Sequence, residues 1–294
     1  MTREGRFRPQ AEGKSLNYRH AFHAGNFADL VKHAALLRLL ALMRQAAPAL
    51  TVIDTHAGSG LYELAGEAAR KSGGAEAGIG RLMCEAEPPP PFAPLVEAVR
   101  RANPKGALKY YPGSPWLIAE GLRPADRYLA CELNADEHRR LSELLRGRRG
   151  AEARSGDGFK LAAAGARPGA LLVLIDPPFE KADDYARAVE TAAAVRRCNP
   201  QAVVAIWLPL KDLETFDAFL RDLEDAGAGP ALIAETRLQP LDNPLKMNGC
   251  ALAIVGAPAG LDATLEAACR WVAETLGDGG EGRVWRLPGD DEFR

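Results

Sequence analysis

Two apolar rhythms alternate along this chain. The first is helical: Leu30, Ala34, Leu37 and Met43 recur at the spacing of one helix face, Asn26 can cap the start, and Pro48 closes the run, predicting a helix from 26 to about 45. The second is a short continuous apolar run of the kind that forms a buried strand. Such runs predict strands at 51–54, 128–132, 151–155, 171–175, 203–208, 232–238 and 251–255, with further helices near 136–146, 184–196, 213–226 and 261–276. Strands alternating with helices imply a mostly parallel sheet covered on both faces. The last two predicted strands have no evident helix between them, so one of the seven is expected to run antiparallel. From 61 to 109 the alternation breaks: Gly73-Gly74, the run Pro88-Pro89-Pro90-Pro91 and one helical piece read as an inserted helical subdomain. Residues 1–15 read as a disordered arm ahead of one domain spanning 16–294.

Composition narrows the class. With 47% hydrophobic and 26% charged residues, the 294-residue chain has the make-up of a globular α/β protein. No apolar run approaches the roughly 18 residues that span a bilayer, and the polar, basic start does not resemble a secretory signal; a cytoplasmic monomer is expected. Five scattered cysteines without a C-x-x-C pair argue against a zinc site or a disulfide framework and for buried free thiols; no metal is expected. The net charge of -2 is a poor footprint for a polyanion partner. Positive charge is nonetheless concentrated in 3–38, where Arg, Lys and His20, His23 and His33 face only three acids, so a nucleic-acid surface would be local and N-terminal.

Three motifs carry candidate chemistry. Asp54-Thr55-His56-Ala57-Gly58-Ser59-Gly60 follows a strand, where a glycine turn lets the backbone approach a nucleotide. It lacks the Lys of a phosphate loop, and Ser59 is not in a hydrolase elbow. An acid at the end of the next strand would accept the ribose hydroxyls; Glu132 matches, displaced from the usual spacing by the insertion. The third strand ends in Asp176-Pro177-Pro178-Phe179, whose prolines leave carbonyls free at the carboxyl edge of the sheet. Asp176 and the Pro177 carbonyl are placed to accept the two N–H groups of an exocyclic amine, turning its lone pair toward an incoming methyl, and Phe179 is placed to stack on a flipped base. Gly156-Asp157-Gly158-Phe159 offers a further acid for a cofactor adenine, although Asp-Gly is also an ordinary turn. Arg148-Arg149 and Arg196-Arg197 read as solvated helix ends, Trp207 and Trp271 as packing residues.

These motifs occur in a larger pattern. Tyr18-Arg19-His20-Ala21-Phe22-His23-Ala24-Gly25-Asn26, with Ala28-Asp29 and Lys32-His33, then Asp54-Thr55-His56-Ala57-Gly58, Tyr110-Tyr111-Pro112-Gly113-Ser114-Pro115, Asp157-Gly158-Phe159 and Asp176-Pro177-Pro178, resembles the RlmJ-type 23S rRNA adenine-N6-methyltransferases from about residue 16 onward. The resemblance implies a Rossmann-like class I methyltransferase fold with a small inserted helical subdomain, S-adenosyl-L-methionine as cofactor and 23S rRNA as substrate. Carried over by position, it implies cofactor contacts from His33, His56, Ser114, Glu132, Asp157, Gly158 and Asp176, with Asp176 also the proton acceptor and Tyr18 meeting the RNA. His20 and Lys32 are added here as RNA-facing groups. The chain departs from the family in having Phe179 where a Tyr is usual, in the loop Ala57-Gly58-Ser59-Gly60, and in its extra arm. The competing readings are a DNA adenine-N6 methyltransferase, against which no separate target-recognition domain is evident, and a non-catalytic RNA-binding or ribosome assembly factor, against which Glu132, Asp157 and Asp176 are all retained. A nicotinamide-dependent oxidoreductase would leave Asp176-Pro177-Pro178-Phe179 unexplained.

Overall fold

A computed structural model describes residues 23–64, 73–181, 183–241 and 248–288; the arm at 1–15, Tyr18 and His20 lie outside the described residues. Helix α1 (Phe27–Ala46) begins where Asn26 caps it, the Asn26 side chain accepting from the Asp29 amide at 3.0 Å. It leads into β1 (Thr51–Asp54) and β2 (Leu61–Glu63). Residues between β2 and β3 (Tyr110–Pro112) form a π turn, Glu76–Gly80, a single helical turn, Arg81–Met83, and helix α2 (Ala93–Ala102). β2 and β3 pair antiparallel and close this segment at its base. It is not a separate body: Ile79, Phe92, Leu95 and Val99 join the same apolar cluster as Leu36 and Leu40 of α1.

The rest alternates as the pattern predicts. Helix α3 (Ser114–Glu120) precedes β4 (Arg127–Glu132), followed by α4 (Ala135–Leu145), β5 (Ala151–Ser155), α5 (Gly158–Gly165), β6 (Leu171–Ile175), α6 (Asp184–Cys198), β7 (Val203–Leu210), α7 (Leu213–Asp225), β8 (Ala231–Arg237), β9 (Gly249–Val255), α8 (Asp262–Leu276) and β10 (Glu281–Leu287). The strand order β5-β4-β1-β6-β7-β9-β8-β10 is parallel through β7, and β9 runs antiparallel between β7 and β8. This is the expected doubly wound sheet with its reversed strand. It has eight strands instead of seven because β10 adds to the far edge, antiparallel to β8. An edge strand needs only one apolar face, and Glu281-Gly282-Arg283-Val284-Trp285-Arg286-Leu287 therefore has no apolar run to advertise it. The buried Glu235 of β8 ties it in, accepting from Arg283 Nε at 3.0 Å.

Successive residues of the central strands face opposite sides. Val52 and Leu172 pack under α1 and α8, whereas Ile53, Val173 and Ile175 pack under α5 and α6. All five cysteines are free, but Cys84 and Cys198 are exposed, against the expectation of buried thiols; both end helical turns, where the chain leaves the core. No helix among the described residues is long and apolar enough to cross a membrane.

The seam between α1 and β4 is clasped by Asp126, whose side chain is 0% exposed. It accepts from the Leu50 amide at 2.9 Å and from Arg123 Nη2 at 2.9 Å, while Arg123 Nη1 donates to the Arg44 and Ala47 carbonyls at the end of α1. Burial by itself raises the Asp126 carboxyl, but the Arg123 hydrogen bonds outweigh it and hold the group below its ordinary value of 3.8. Its stabilisation is therefore complete above the unfolded pKa and is lost as pH falls through the depressed folded value. Asp126→Ala is expected to cost about 3–5 kcal/mol by stranding Arg123 and the Leu50 amide, read as a lower urea midpoint at neutral pH. Asp126→Asn should flatten the acid-side loss of stability; an unchanged acid limb would show that the clasp does not set it.

Candidate active site

The carboxyl ends of the parallel strands converge on one rim, where an α/β sheet presents its ligand sites. At the end of β1 the chain turns through Gly58 at φ 63° and Gly60 at φ 82°. The Gly58 amide donates to Glu132 Oε2 at 2.9 Å, and the Asn134 amide to Oε1 at 2.7 Å, so two backbone groups aim the strand-end carboxylate. Beyond β5, Gly158 opens α5 against β1; a Cβ there would lie 1.9 Å from the Thr55 carbonyl oxygen, which only glycine avoids. His56 takes its place through a 2.7 Å contact between Nδ1 and Thr55 Oγ1, and its ring meets the edge of Phe159 at 4.8 Å between centroids.

These groups surround a cleft of about 150 Å³ whose walls include His56, Gly58, Glu132, Asp157, Gly158 and Asp176. Leu133 lines it and is 58% exposed, an apolar surface left open by the described residues. A second cavity lies across the β6 turn, bordered by His23, Asp29, Lys32, Trp207 and Lys211. Asp176 and Pro178 line both. The turn that the prolines stiffen thus lies between the first cleft and a cavity opening toward α1.

That turn is held electrostatically. Lys32 Nζ sits 2.7 Å from Asp176 Oδ2 and 2.8 Å from Asp29 Oδ1. Burial works against the Lys32 ammonium, but the Asp176 and Asp29 charges prevail and raise it well above the ordinary lysine value. Asp29 is in turn oriented by the Gly25 amide at 2.9 Å and, despite burial, is lowered by Lys32 and His33. Behind Asp176 lies Asp54, buried, accepting from Ser114 Oγ at 2.7 Å and from Tyr128 Oη at 3.3 Å. Burial foremost, with the charge of Asp176, pushes Asp54 up to about 6 against the pull of Ser114, Lys32 and Tyr128.

The residues singled out in the sequence are only partly gathered here. His56, Glu132, Asp157, Gly158 and Asp176 share the cleft, while Ser114 joins Asp54, Lys32 and Asp176 around a smaller cavity beside it. His33 is 2% exposed and faces inward, its Nδ1 2.7 Å from Tyr111 Oη and its ring stacked on that phenol. Of the two prolines, Pro177 is buried and Pro178 borders the cavities. Phe179 is not available to stack on a base in this conformation. Its left-handed φ of 51° turns the ring into the core, 7% exposed, against Tyr185 at 4.6 Å and Trp207 at 6.0 Å between centroids. The aromatic that reaches the second cavity is Trp207, taken in the sequence as packing. Leu133 and Arg187, another residue of the cleft, had no predicted role, Asp54 was quoted only as part of its motif, and Trp207 had only a packing role. Only Asp54 and Leu133 had a usable signal, as strand-end residues beside the motifs.

The family model described as ribosomal RNA large subunit methyltransferase D, RlmJ, matches residues 47–287. The ribosomal RNA large subunit methyltransferase J of Escherichia coli is 29% identical over 93% of this chain and 99% of its own length, and that of Haemophilus influenzae 30% over 91% and 96%. A crystal structure of a Legionella pneumophila protein superposes with a TM-score of 0.81 at 26% identity, over 91% of this chain and 99% of that one. With most of its length matched, the chain belongs to the RlmJ family of ribosomal RNA large subunit methyltransferases.

Proposed function

We propose that this protein methylates the N6 amine of an adenine in 23S ribosomal RNA, with S-adenosyl-L-methionine as methyl donor. The observation that carries the reading is that two cavities meet at Asp176 and Pro178, since in-line transfer needs the attacking nitrogen and the leaving sulfur on opposite sides of the methyl carbon with no group between them.

The donor-side cleft suits an adenosyl group. Glu132, anchored by two amides, has lone pairs left for ribose hydroxyls; Leu133 offers an apolar face for a planar base; Asp157 accepts at the far end. His56 and Ser114 complete the surroundings, and His33 supports them from the core through Tyr111. When bound, the cofactor supplies an electrophilic methyl group on a sulfonium.

On the acceptor side, Asp176 accepts a hydrogen bond from the adenine amine and takes the proton that leaves the nitrogen, and the Pro177 carbonyl is the partner for the second N–H. Lys32 holds Asp176 in place and keeps a positive charge beside it. Trp207, instead of the expected Phe179, offers the ring on which a flipped base would stack. Tyr18 is a proposed RNA contact on the strength of the family pattern, and His20 is added to it as a further RNA-facing group.

Transfer of a labelled methyl from S-adenosyl-L-methionine, offering protein-free 23S rRNA and duplex DNA in parallel, tests the reading. Label is expected on N6-adenine of the RNA; label on the DNA alone would replace the substrate. Asp176→Asn should lower turnover by about 10²- to 10⁴-fold, the usual range for a lost proton acceptor, while cofactor affinity by calorimetry stays within a few fold. Unchanged turnover would remove Asp176 from the chemistry. Tyr18→Ala should impair RNA methylation and spare cofactor binding; a large loss of cofactor affinity would move Tyr18 to the cofactor cleft.

A further inference from the structure

The donor-side cleft contains an ion pair for which the proposed reaction has no assigned use. Arg187, on the first turns of α6, reaches across to Asp157, placing Nη2 2.6 Å from Oδ2. The same guanidinium lies over the Phe159 ring, with Cζ 4.4 Å from the centroid. Phe159 is itself only 4% exposed, and the His56 ring meets it edge-on. All four residues border the cleft, which opens toward the exposed Leu133.

We infer that Arg187 is a positioning residue for the adenine of the cofactor: it holds the Asp157 carboxylate in the orientation that accepts the adenine amine, and its planar guanidinium forms part of the surface against the base. This rests on the cofactor reading given above. A carboxylate at the mouth of a helix can rotate among several partners, and one that must read an amine has to be held still. Arg187 takes Oδ2 from the side of α6. A carboxylate has about four lone-pair sites, so capacity remains for an incoming N–H. Burial tends to raise the Asp157 carboxyl, but Arg187 prevails and lowers it, which keeps the group an acceptor with no proton of its own to donate. The guanidinium adds a flat, weakly hydrated face, the type of surface on which heteroaromatic rings stack. Lysine would supply the charge without the plane or the fork.

The ligand pair that isolates this role is S-adenosylhomocysteine and its 6-deamino analogue, in which hydrogen replaces the exocyclic amine. Their dissociation constants would be measured by calorimetry on the full chain, wild type, Arg187→Met and Arg187→Lys, with thermal unfolding as the check on folding. The wild-type protein is expected to prefer the adenosyl ligand by about 10- to 100-fold, the range for one hydrogen bond to a charged group. Arg187→Met should bring that ratio toward one, mainly by weakening the adenosyl ligand. Arg187→Lys, which retains the ion pair, should preserve most of the preference while weakening both ligands. A wild-type ratio retained in Arg187→Met, or the same fractional loss for both ligands there, would overturn the inference, since Asp157 would then be oriented without Arg187. If Arg187→Met does not fold, loss of the preference in Arg187→Lys overturns it instead. Failure of the wild-type protein to bind either ligand would refute the cofactor reading and the inference with it, a result distinct from both.

Discussion

The Lys32 ammonium, held between Asp29 and Asp176, is the contact on which the arrangement of the site depends. Moving three charges away from water is costly unless each is paired and hydrogen-bonded. Here every member has a second anchor: Asp29 has the Gly25 amide, Lys32 has two carboxylates, and Asp176 sits on a turn stiffened by two prolines. The result ties the N-terminal helix to the end of the central strand. Asn26 caps α1, and on its first turns Asp29 and Lys32, three residues apart, lie on one face, so that Lys32 bridges Asp29 to Asp176 at the end of β6.

From that tie the two sides of the site separate. β4, β5 and the first turns of α5 and α6 build the donor side, where backbone amides and a strand-end carboxylate do most of the orienting. α1 and the end of β7 build the acceptor side, where Lys32, Trp207 and Lys211 present charge and an aromatic ring. The proposed chemistry needs both kinds of surface. A nucleoside can be recognised by fixed hydrogen-bond partners, whereas a base drawn from RNA needs a ring to replace its lost stacking and cations near its phosphates. The local basic character of the N-terminal segment fits this, although the chain as a whole is slightly acidic.

The segment between β2 and β3 contributes to the same frame by packing. Phe92 meets Trp271 of α8 at 5.1 Å between centroids, and Ile79 contacts the start of α1, where a Cβ on Gly25 would lie 2.7 Å from its Cγ2. The insertion therefore braces the helix that carries Lys32, and a change in its core would be felt at Asp176 through α1.

By itself, the sequence determined what depends on local composition. Leu171-Leu172-Val173-Leu174-Ile175 is a strand because five apolar residues ending at Asp-Pro-Pro have no other way to be buried, and Asn26 starts a helix because its side chain satisfies an amide that the helix leaves open. The doubly wound sheet and the acids Glu132, Asp157 and Asp176 at its rim were legible for the same reason. What only the tertiary structure decided is where side chains point and what covers them. A left-handed backbone at Phe179 sends an expected stacking ring into the core, stacking with Tyr111 keeps His33 inside, and β10 joins the sheet through Glu235 and Arg283, far apart in sequence. Arg187 and Asp157, thirty residues apart, meet only because α6 folds back over α5. Periodicity reports burial along one element; orientation is fixed by contacts between elements, and those form only when the chain has packed.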